Sequence, residues 1–390
     1  MLRLSRWAGM LVITLVPLDG ADRWIRATSE HFELYTPQSE AQARTTLQHF
    51  ERVRELLRGL IDADPSESAP VRVVLFSSAK QFAQFRPNSI AAAFYQEALD
   101  RDYNFMGGHS GDADRVATHE YVHLLLRHAG FRPPVWLEEG FAEFYSTVRA
   151  AGSKMWIGDP IAAHRRVLEQ EKWIPLERLL RIGLDSPEYN TRVPAGIFYA
   201  QCWALVHRLH LGDRDRREAA AVLSRFQADA LPAAVLEEWF GQPLAQIERD
   251  LRGYVSGRSR WPTREFSFPA GPSRERVVIA EAEGGEVAGM LALVRINARQ
   301  YDLARVELEA AAKEAPRHWL VEEALGYLAW HRSDWQRAQE HLRQAVARAP
   351  NPAPRLLWNA GRVDQFGGLR SPESAELLVR AMRARPQWME

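Results

Sequence analysis

The sequence predicts an α+β protein in which a small mixed sheet, the helices that carry the candidate site and a helical subdomain are followed by an α-helical repeat domain. Three observations lead to this prediction. Short alternating or β-branched segments fall between residues 31 and 106, apolar residues at helical spacing dominate from 113 to 255, and a 34-residue period runs through the C-terminal part. The length of 390 residues fits two or three domains.

The composition excludes several classes of function. Lys and Arg together number 50, as do Asp and Glu, so the formal charge is zero and the chain lacks the basic excess that nucleic acid or an anionic membrane requires. The single cysteine, Cys202, excludes an internal disulfide, a zinc site with two or more thiolates and a thiolate-held iron–sulfur cluster. A metal would have to be held mainly by histidine and carboxylate side chains.

The N-terminal segment, residues 1–21, has the pattern of an export signal. Arg3 and Arg6 precede an apolar run from Trp7 to Leu18, which is too short to span a bilayer. We expect a signal peptide or an uncleaved N-terminal anchor, and therefore a periplasmic or extracellular protein. The membrane is an expected partner only if the segment is not cleaved.

Residues 22–150 are predicted to form the α+β part of the first domain. The first predicted helix spans residues 39–60, and the predicted strands are 31–36, 71–76, 91–96 and 102–106. A second helix is predicted from 113 to about 129, capped by Asp112 and ended by Gly130. Pro133 and Pro134 predict a turn, and another helix begins near Trp136.

Residues 151–255 are predicted to be the helical part of the same domain, with helices at 197–210, 217–226 and 243–254. The segment 256–275 is rich in Pro, Gly, Ser and Arg, which predicts a linker.

The last predicted domain, residues 276–390, contains an internal repeat. Small and apolar residues of the first copy recur after 34 residues, and a degenerate third copy follows two residues out of phase. The matched pairs are Leu291 with Leu325, Ala292 with Gly326, Ala304 with Ala338, Leu308 with Leu342, Ala311 with Ala345 and Pro316 with Pro350. The period and the small residues resemble tetratricopeptide (TPR-like) repeats, which are paired helices that commonly bind a peptide or partner protein.

The residues that point to chemistry are HEYVH, positions 119–123. His119 and His123 are four residues apart on one helical face, so both imidazoles can reach a single ion, and Glu120 lies beside them. The apolar stripe of this helix is a separate face, formed by Ala117, Tyr121, Leu124, Leu125 and His128.

A second helix brings carboxylates to the same region. Residues 135–145 read VWLEEGFAEFY, in which Glu139 and Glu143 share a face and Glu138 lies about 100° away, where we expect it to be solvated. Zinc in a catalytic site takes three protein ligands and leaves a fourth position for water, and Glu139 is a candidate third ligand.

HExxH followed by WLxEG resembles the gluzincin zinc metallopeptidases, the group that contains thermolysin and the zinc aminopeptidases, and especially bacterial gluzincin-like proteins with repeat-containing C-termini. The resemblance implies hydrolysis of peptide or protein substrates with Zn²⁺ as cofactor. It implies that His119, His123 and Glu139 are the zinc ligands. It also implies that Glu120 is the general base and that Glu143 orients a ligand histidine.

The same resemblance implies an oxyanion donor and a strand for the substrate. Tyr199 is the candidate donor, and Tyr189 and His207 compete with it. The segment 92–96, AAFYQ, resembles the edge strand on which such enzymes lay an extended substrate. A GxMEN motif is missing from the sequence, so endopeptidase and exopeptidase action both stay open.

Two other interpretations compete with a peptidase. One is an inactive gluzincin-like scaffold whose repeats bind a partner protein or peptide. The other is a structural zinc site, which needs a fourth protein ligand such as His109 or His128. The remaining histidines, among them His31, His164, His207, His210 and His318, are interpreted as ordinary core or surface residues.

Overall fold

A computed structural model describes residues 23–61, 70–85, 93–108, 111–151, 154–190, 192–212, 219–226, 232–256, 261–267, 276–368 and 371–384. It confirms the predicted class, an α+β unit followed by a helical domain. The strands are β1 (Ile25–Thr28), β2 (Phe32–Thr36), β3 (Val71–Leu75), β4 (Ala93–Glu97), β5 (Asp102–Met106), β6 (Arg149–Ala151), β7 (Lys154–Ile157), β8 (Arg264–Ser267) and β9 (Val278–Glu281).

The helices of the first part of the chain are α1 (Glu40–Ile61), α2 (Ala79–Phe82), α3 (Gly111–His128), α4 (Val135–Tyr145), α5 (Ala162–Gln170), α6 (Leu176–Leu179), α7 (Pro187–Asn190), α8 (Arg192–Leu211), α9 (Ala219–Arg225), α10 (Pro232–Phe240) and α11 (Leu244–Ser256). The C-terminal helices are α12 (Gly284–Asn297), α13 (Tyr301–Glu314), α14 (Trp319–His331), α15 (Trp335–Arg348), α16 (Pro354–Phe366) and α17 (Pro372–Ala384).

The main sheet has six strands in the order β4-β5-β3-β2-β1-β9. The pairs β2–β3 and β3–β5 are parallel, and β1–β2, β4–β5 and β1–β9 are antiparallel. Strand β4 therefore forms one edge, and its outer side carries no further strand among the described residues.

Both faces of this sheet are buried, because side chains alternate between two apolar layers along each strand. In β3, Val73 and Leu75 pack into the layer that includes α1 and α3. Val74 and the following Phe76 pack into the opposite layer, which is formed with the C-terminal helices. The sheet therefore lies between the helices of the candidate site and the helical repeat domain.

Among the described residues, the predicted strands and helices are present with shifts of at most five residues at their ends. Residues 91–92 and 217–218 of two predicted elements lie outside the described residues. The helix predicted to start at residue 113 is α3, which begins at Gly111, so Asp112 lies inside its first turn rather than before it. Gly130 follows α3 with a φ of +77°, the left-handed conformation that glycine adopts at helix ends. Strands β1, β6 and β7 were not predicted, because three or four residues are too few for their alternation to be distinguished from chance. Strand β7 corrects the prediction that residues 151–255 are helical, since that part begins with a strand.

The linker prediction for 256–275 is wrong in part, because residues 264–267 form β8. This strand pairs antiparallel with β7 and completes the three-stranded sheet β6-β7-β8. Pro262 and the polar residues around β8 are typical of a linker. The strand could not be recognised from them, because its pairing partner lies more than a hundred residues earlier in the sequence. Residues 257–260 and 268–275 lie outside the described residues.

The domain boundary at 276 also needs correction, because residues 278–281 form β9 and pair with β1 in the N-terminal sheet. The helices that follow form three hairpins, α12–α13, α14–α15 and α16–α17. Small residues allow their close packing: a Cβ on Gly289 would lie 2.6 Å from the carbonyl carbon of Leu320, and one on Gly326 would lie 2.7 Å from Leu342.

The predicted signal or anchor, residues 1–21, lies outside the described residues. Within the described part of the chain, every helix is too short or too polar to cross a membrane.

Candidate metal centre

The candidate site lies where α3 and α4 pack together. The left-handed Gly130 ends α3, and Pro133 and Pro134 precede α4, so that the two helices are joined by a short turn. On its other side α4 packs closely on α8: a Cβ at Gly140 would lie 2.6 Å from the carbonyl oxygen of Cys202. A side chain at position 140 would therefore displace the helix that carries Glu139 and Glu143.

Three side chains bring potential ligand atoms together in a small triangle. The Nε2 atoms of His119 and His123 are 3.1 Å apart, and they lie 3.3 Å and 3.4 Å from Oε2 of Glu139. All three residues are buried. Tetrahedral bonds of about 2.0–2.1 Å separate neighbouring ligand atoms by about 3.3–3.4 Å. The triangle therefore fits one metal ion, and this group can hold it.

The surroundings of the Glu139 carboxylate are a second reason why a cation fits the triangle. Oε2 of Glu139 is buried without an aligned hydrogen-bond donor in the described structure, whereas Oε1 accepts a hydrogen bond of 2.8 Å from the hydroxyl of Tyr189. A bound ion would satisfy the first oxygen while Tyr189 keeps the second one in place.

The outward nitrogens of both histidines face carboxylates. Nδ1 of His119 lies 3.5 Å from Oε1 of Glu143, and Nδ1 of His123 lies 3.1 Å from Oε1 of Glu138. A carboxylate at Nδ1 fixes the ring so that Nε2 is directed to the ion. His123 thus has a hydrogen-bonded orienting partner, whereas Nδ1 of His119 is near the carboxylate of Glu143 without an aligned hydrogen bond.

Glu138 is a residue that the sequence prediction missed. Its expected position in solvent is wrong, since its carboxylate contacts His123 and its side chain is 29% exposed. Glu138 lies about 100° from Glu139 around α4, as helix geometry requires. However, α3 crosses the first turn of α4 on that side, and helix crossing cannot be deduced from the spacing within one helix.

Glu143 belongs to a larger polar cluster behind His119. Its Oε2 lies 2.7 Å from Nη1 of Arg115 and 3.0 Å from Nε2 of His164. Burial alone would raise the pKa of Glu143, but the charges of His119, His164 and Arg115 lower it to about 2. His164 was interpreted as an ordinary residue, and its helix α5 instead brings it to the metal-centre cluster.

The electrostatic field of the centre favours positive charge. Burial alone would lower the pKa of His123, but the carboxylates of Glu139 and Glu138 raise it to about 10 in the metal-free protein. Burial likewise opposes ionisation of Glu139, and the two histidines nevertheless lower its pKa. The carboxylates around the histidines therefore attract positive charge to the site. A divalent cation would supply that charge in place of the protons on the histidines.

An open cleft of about 480 Å³ borders the triangle, large enough for several residues of an extended ligand. Glu120 lies in this cleft, and its Oε2 is 3.4 Å from the backbone N–H of Tyr95 in β4. The open side of the centre is therefore lined by the general-base candidate and by the edge strand that contains most of the AAFYQ segment.

The three candidate oxyanion donors occupy different environments. Tyr199 and Tyr189 both line the cleft, and burial together with the charge of Glu139 raises the pKa of each phenol, so both stay protonated at neutral pH. His207 is fully buried elsewhere, where its ring nitrogens contact the hydroxyl of Tyr254 at 2.7 Å and the carbonyl of Gly158 at 2.9 Å. His207 is therefore removed from the candidates.

A fourth protein ligand is not supplied by His128. Its Nε2 lies 3.1 Å from the carboxylate of Asp102 rather than near the triangle. His109, the other candidate, lies outside the described residues. Among the residues that the structure describes, the metal-binding group has three members, His119, His123 and Glu139.

Comparison with known proteins assigns no family to this site. No protein-family model matches the chain, and no curated protein shows significant sequence similarity to it. The resemblance to gluzincins rests on the motif residues alone.

Proposed function

We propose that this protein is a zinc-dependent peptidase. The observation that carries the proposal is the triangle of two imidazole nitrogens and one carboxylate oxygen, with sides of 3.1–3.4 Å, at the wall of an open cleft. Three protein ligands and an open side are typical of catalytic zinc, whereas structural zinc takes four protein ligands. The HExxH and WLxEG motifs support the same conclusion.

Zinc is the proposed ion because the ligand set is two nitrogens and one oxygen. Mg²⁺ and Ca²⁺ prefer oxygen ligands, and an iron–sulfur cluster needs cysteines that this chain lacks. The residues that would hold the ion are His119, His123 and Glu139. When bound, zinc would lower the pKa of a water molecule and polarise the substrate carbonyl.

The protein groups around the ion have separate roles in the proposed reaction. Glu120 accepts the proton of the attacking water and returns it to the leaving amine. Tyr199, held in the protonated form, donates a hydrogen bond to the oxyanion. Tyr189 donates a hydrogen bond to Oε1 of Glu139 and is proposed to position that ligand.

The proposed substrate is an extended peptide, because the cleft wall is a sheet edge that carries no further strand in the described part of the chain. The outer backbone groups of β4 can pair with a substrate strand and place its carbonyl between Glu120 and the triangle. The proposal also includes export, for which the N-terminal segment gives the sequence support.

The decisive experiment measures zinc content and cleavage of a peptide library by wild type and Glu120→Gln, with and without chelator. We expect Glu120→Gln to retain zinc and to lose activity by roughly 10²–10⁴-fold. The matched control is Glu169→Gln on α5, an exposed carboxylate outside the cleft, which should match wild type in both measurements.

Two results would contradict the proposal. Wild-type activity in Glu120→Gln would refute the mechanism, and unchanged zinc content in both His119→Ala and His123→Ala would refute the ligand assignment. Zinc-loaded wild type that cleaves no peptide of the library would instead favour the inactive scaffold.

A further inference from the structure

The helical repeat domain covers the sheet with the first helix of each hairpin. On α12, Glu286 accepts a hydrogen bond of 2.8 Å from the hydroxyl of Tyr35 in β2. On α14, Glu323 is fully buried, and Arg101, the residue before β5, lies within range of its charge. On α16, Asn359 donates a hydrogen bond of 2.7 Å to the carbonyl of Leu99. The inner face of the repeat array is therefore occupied by the protein's own sheet.

The third hairpin contacts the turn between β4 and β5. Nη1 of Arg355, on α16, donates a hydrogen bond of 3.0 Å to the carbonyl of Ala98. Asn359, one helical turn later, binds the next carbonyl, that of Leu99. Two adjacent carbonyls of the hairpin turn are thus held by one helix of the repeat domain.

Arg355 also contacts Asp102, the first residue of β5. The guanidinium nitrogens lie 3.4 and 3.5 Å from the two carboxylate oxygens. The same carboxylate accepts a hydrogen bond of 3.0 Å from the hydroxyl of Tyr95 and lies 3.1 Å from Nε2 of His128. Burial alone would raise the pKa of Asp102, but His128, Arg355 and Tyr95 lower it, so the carboxylate is charged at neutral pH.

Tyr95 and His128 connect this carboxylate to the metal centre. Tyr95 lies in the cleft wall, and its backbone N–H is directed to Glu120. His128 is on α3, the helix that carries both histidine ligands. A charged, 5% exposed carboxylate therefore joins the repeat domain, the edge strand and the ligand helix.

We propose that Arg355 and Asp102 are positioning residues of the peptidase: they hold β4 at the distance from α3 that places a substrate carbonyl beside Glu120. This inference rests on the proposed function. Edge strands have one pairing partner and open easily. Without Arg355, β4 keeps its contacts with β5 and α3, and the hairpin keeps its hydrogen bonds with Asn359 and Asn297. Asp102 and the carbonyl of Ala98 lose their guanidinium partner, so the cleft wall would shift while the zinc ligands stay in place.

The first test measures amide hydrogen exchange in the full-length, metal-free protein. We expect Arg355→Met to accelerate exchange of the β4–β5 hairpin by about tenfold, the size of effect expected for loss of a charge-assisted hydrogen bond. The helix interior of α3 should keep its protection. Arg362→Met is the matched control, because Arg362 is on the same helix but stacks over Trp358 and Phe366 instead.

The second test measures peptide cleavage. We expect Arg355→Met to raise KM by about tenfold, to change kcat by less than about threefold and to leave zinc content unchanged, because substrate placement is lost and the ion is not. Arg355→Lys should recover part of the loss. In a double-mutant cycle with Tyr95→Phe the two effects should be less than additive, since both act through Asp102.

The two tests separate this inference from the proposed function. If wild type cleaves no peptide, the proposed function fails while the hydrogen-exchange result still decides whether Arg355 holds the hairpin. Equal exchange rates in Arg355→Met, Arg362→Met and wild type would overturn the inference, as would fully additive effects of Arg355→Met and Tyr95→Phe on KM.

Discussion

Glu138 provides a sharp test of the metal centre, because the structure assigns it a contact that the sequence did not predict. Its carboxylate lies 3.1 Å from Nδ1 of His123, and its side chain is 29% exposed. Glu143, the predicted orienting carboxylate, lies 3.5 Å from His119 and is 9% exposed. We therefore expect removal of Glu138 to weaken zinc binding even though Glu143 remains.

The magnitude follows from the kind of contact. Loss of a carboxylate that orients a ligand histidine typically reduces metal affinity by about 10- to 100-fold, which is roughly 1.4–2.7 kcal/mol. Glu138→Gln keeps a hydrogen-bond acceptor and removes the charge, so we expect the lower end of this range. Glu138→Ala removes both, and its effect should lie near the upper end, reduced somewhat by the exposure of the site.

The assay is competition for zinc with a chromophoric chelator at fixed pH, which gives Kd for each variant. The matched control is Glu97→Gln, a carboxylate that lines the same cleft without contacting a ligand residue. It removes the same charge from the same cleft, so any difference between Glu97→Gln and Glu138→Gln reports the contact with His123. Equal Kd values for Glu138→Ala, Glu97→Gln and wild type would refute the orienting role.

Three further predictions concern stability. Gly140→Ala should lower the free energy of unfolding by about 1–3 kcal/mol, because its Cβ would lie 2.6 Å from a carbonyl of α8, whereas Gly253→Ala, with open space around its Cβ, should not; equal thermal midpoints for the two would contradict the close packing. Burial raises the pKa of Glu323 to about 7. The stability that the protonated carboxyl group gives to the fold is therefore fully present below pH 4.5 and is lost as the pH rises through 7. Glu323→Gln should therefore stabilise the protein by about 3 kcal/mol at pH 8 and change little at pH 4, and a pH-independent difference in urea unfolding would speak against this. Burial alone would raise the pKa of Glu33, but two neighbouring arginines lower it to about 2. The stability that the charged carboxylate gives to the fold is therefore present above pH 4.5 and is lost as the pH falls towards 2. Glu33→Gln should make unfolding free energy less dependent on pH between those values, by up to about 3 kcal/mol, and an unchanged slope would contradict the prediction.

The features that could be predicted from the sequence are those that depend on local spacing. His119 and His123 share a helical face because they are four residues apart. Glu139 lies on the next helix, after a turn that Gly130 and Pro133 predict. Strand β3 could be recognised because a run of β-branched residues buried on both faces needs no partner to be identified.

The features that could not be predicted depend on how distant elements cross. Glu138 and His164 reach the centre because of the angles at which α4 and α5 pack against α3 and α8. The spacing of residues within one helix gives no information on these angles. His207 was a plausible donor by its position along the chain, yet the same helix turns it into the core beside Tyr254. Strands β1 and β9 are separated by about 250 residues, so their pairing leaves no local pattern.

The pairing of β1 with β9 has a consequence for how the protein is made. During synthesis the sheet cannot be completed until residue 281 is available, and until then the edge of β1 stays uncovered. The apolar face of β3 stays uncovered for longer, until the C-terminal helices follow. A fragment that ends at 275 would contain every proposed zinc ligand and still expose this edge, so we expect it to aggregate rather than behave as a minimal enzyme. The sheet that supports the metal centre can in this way be complete only when nearly three quarters of the chain is available.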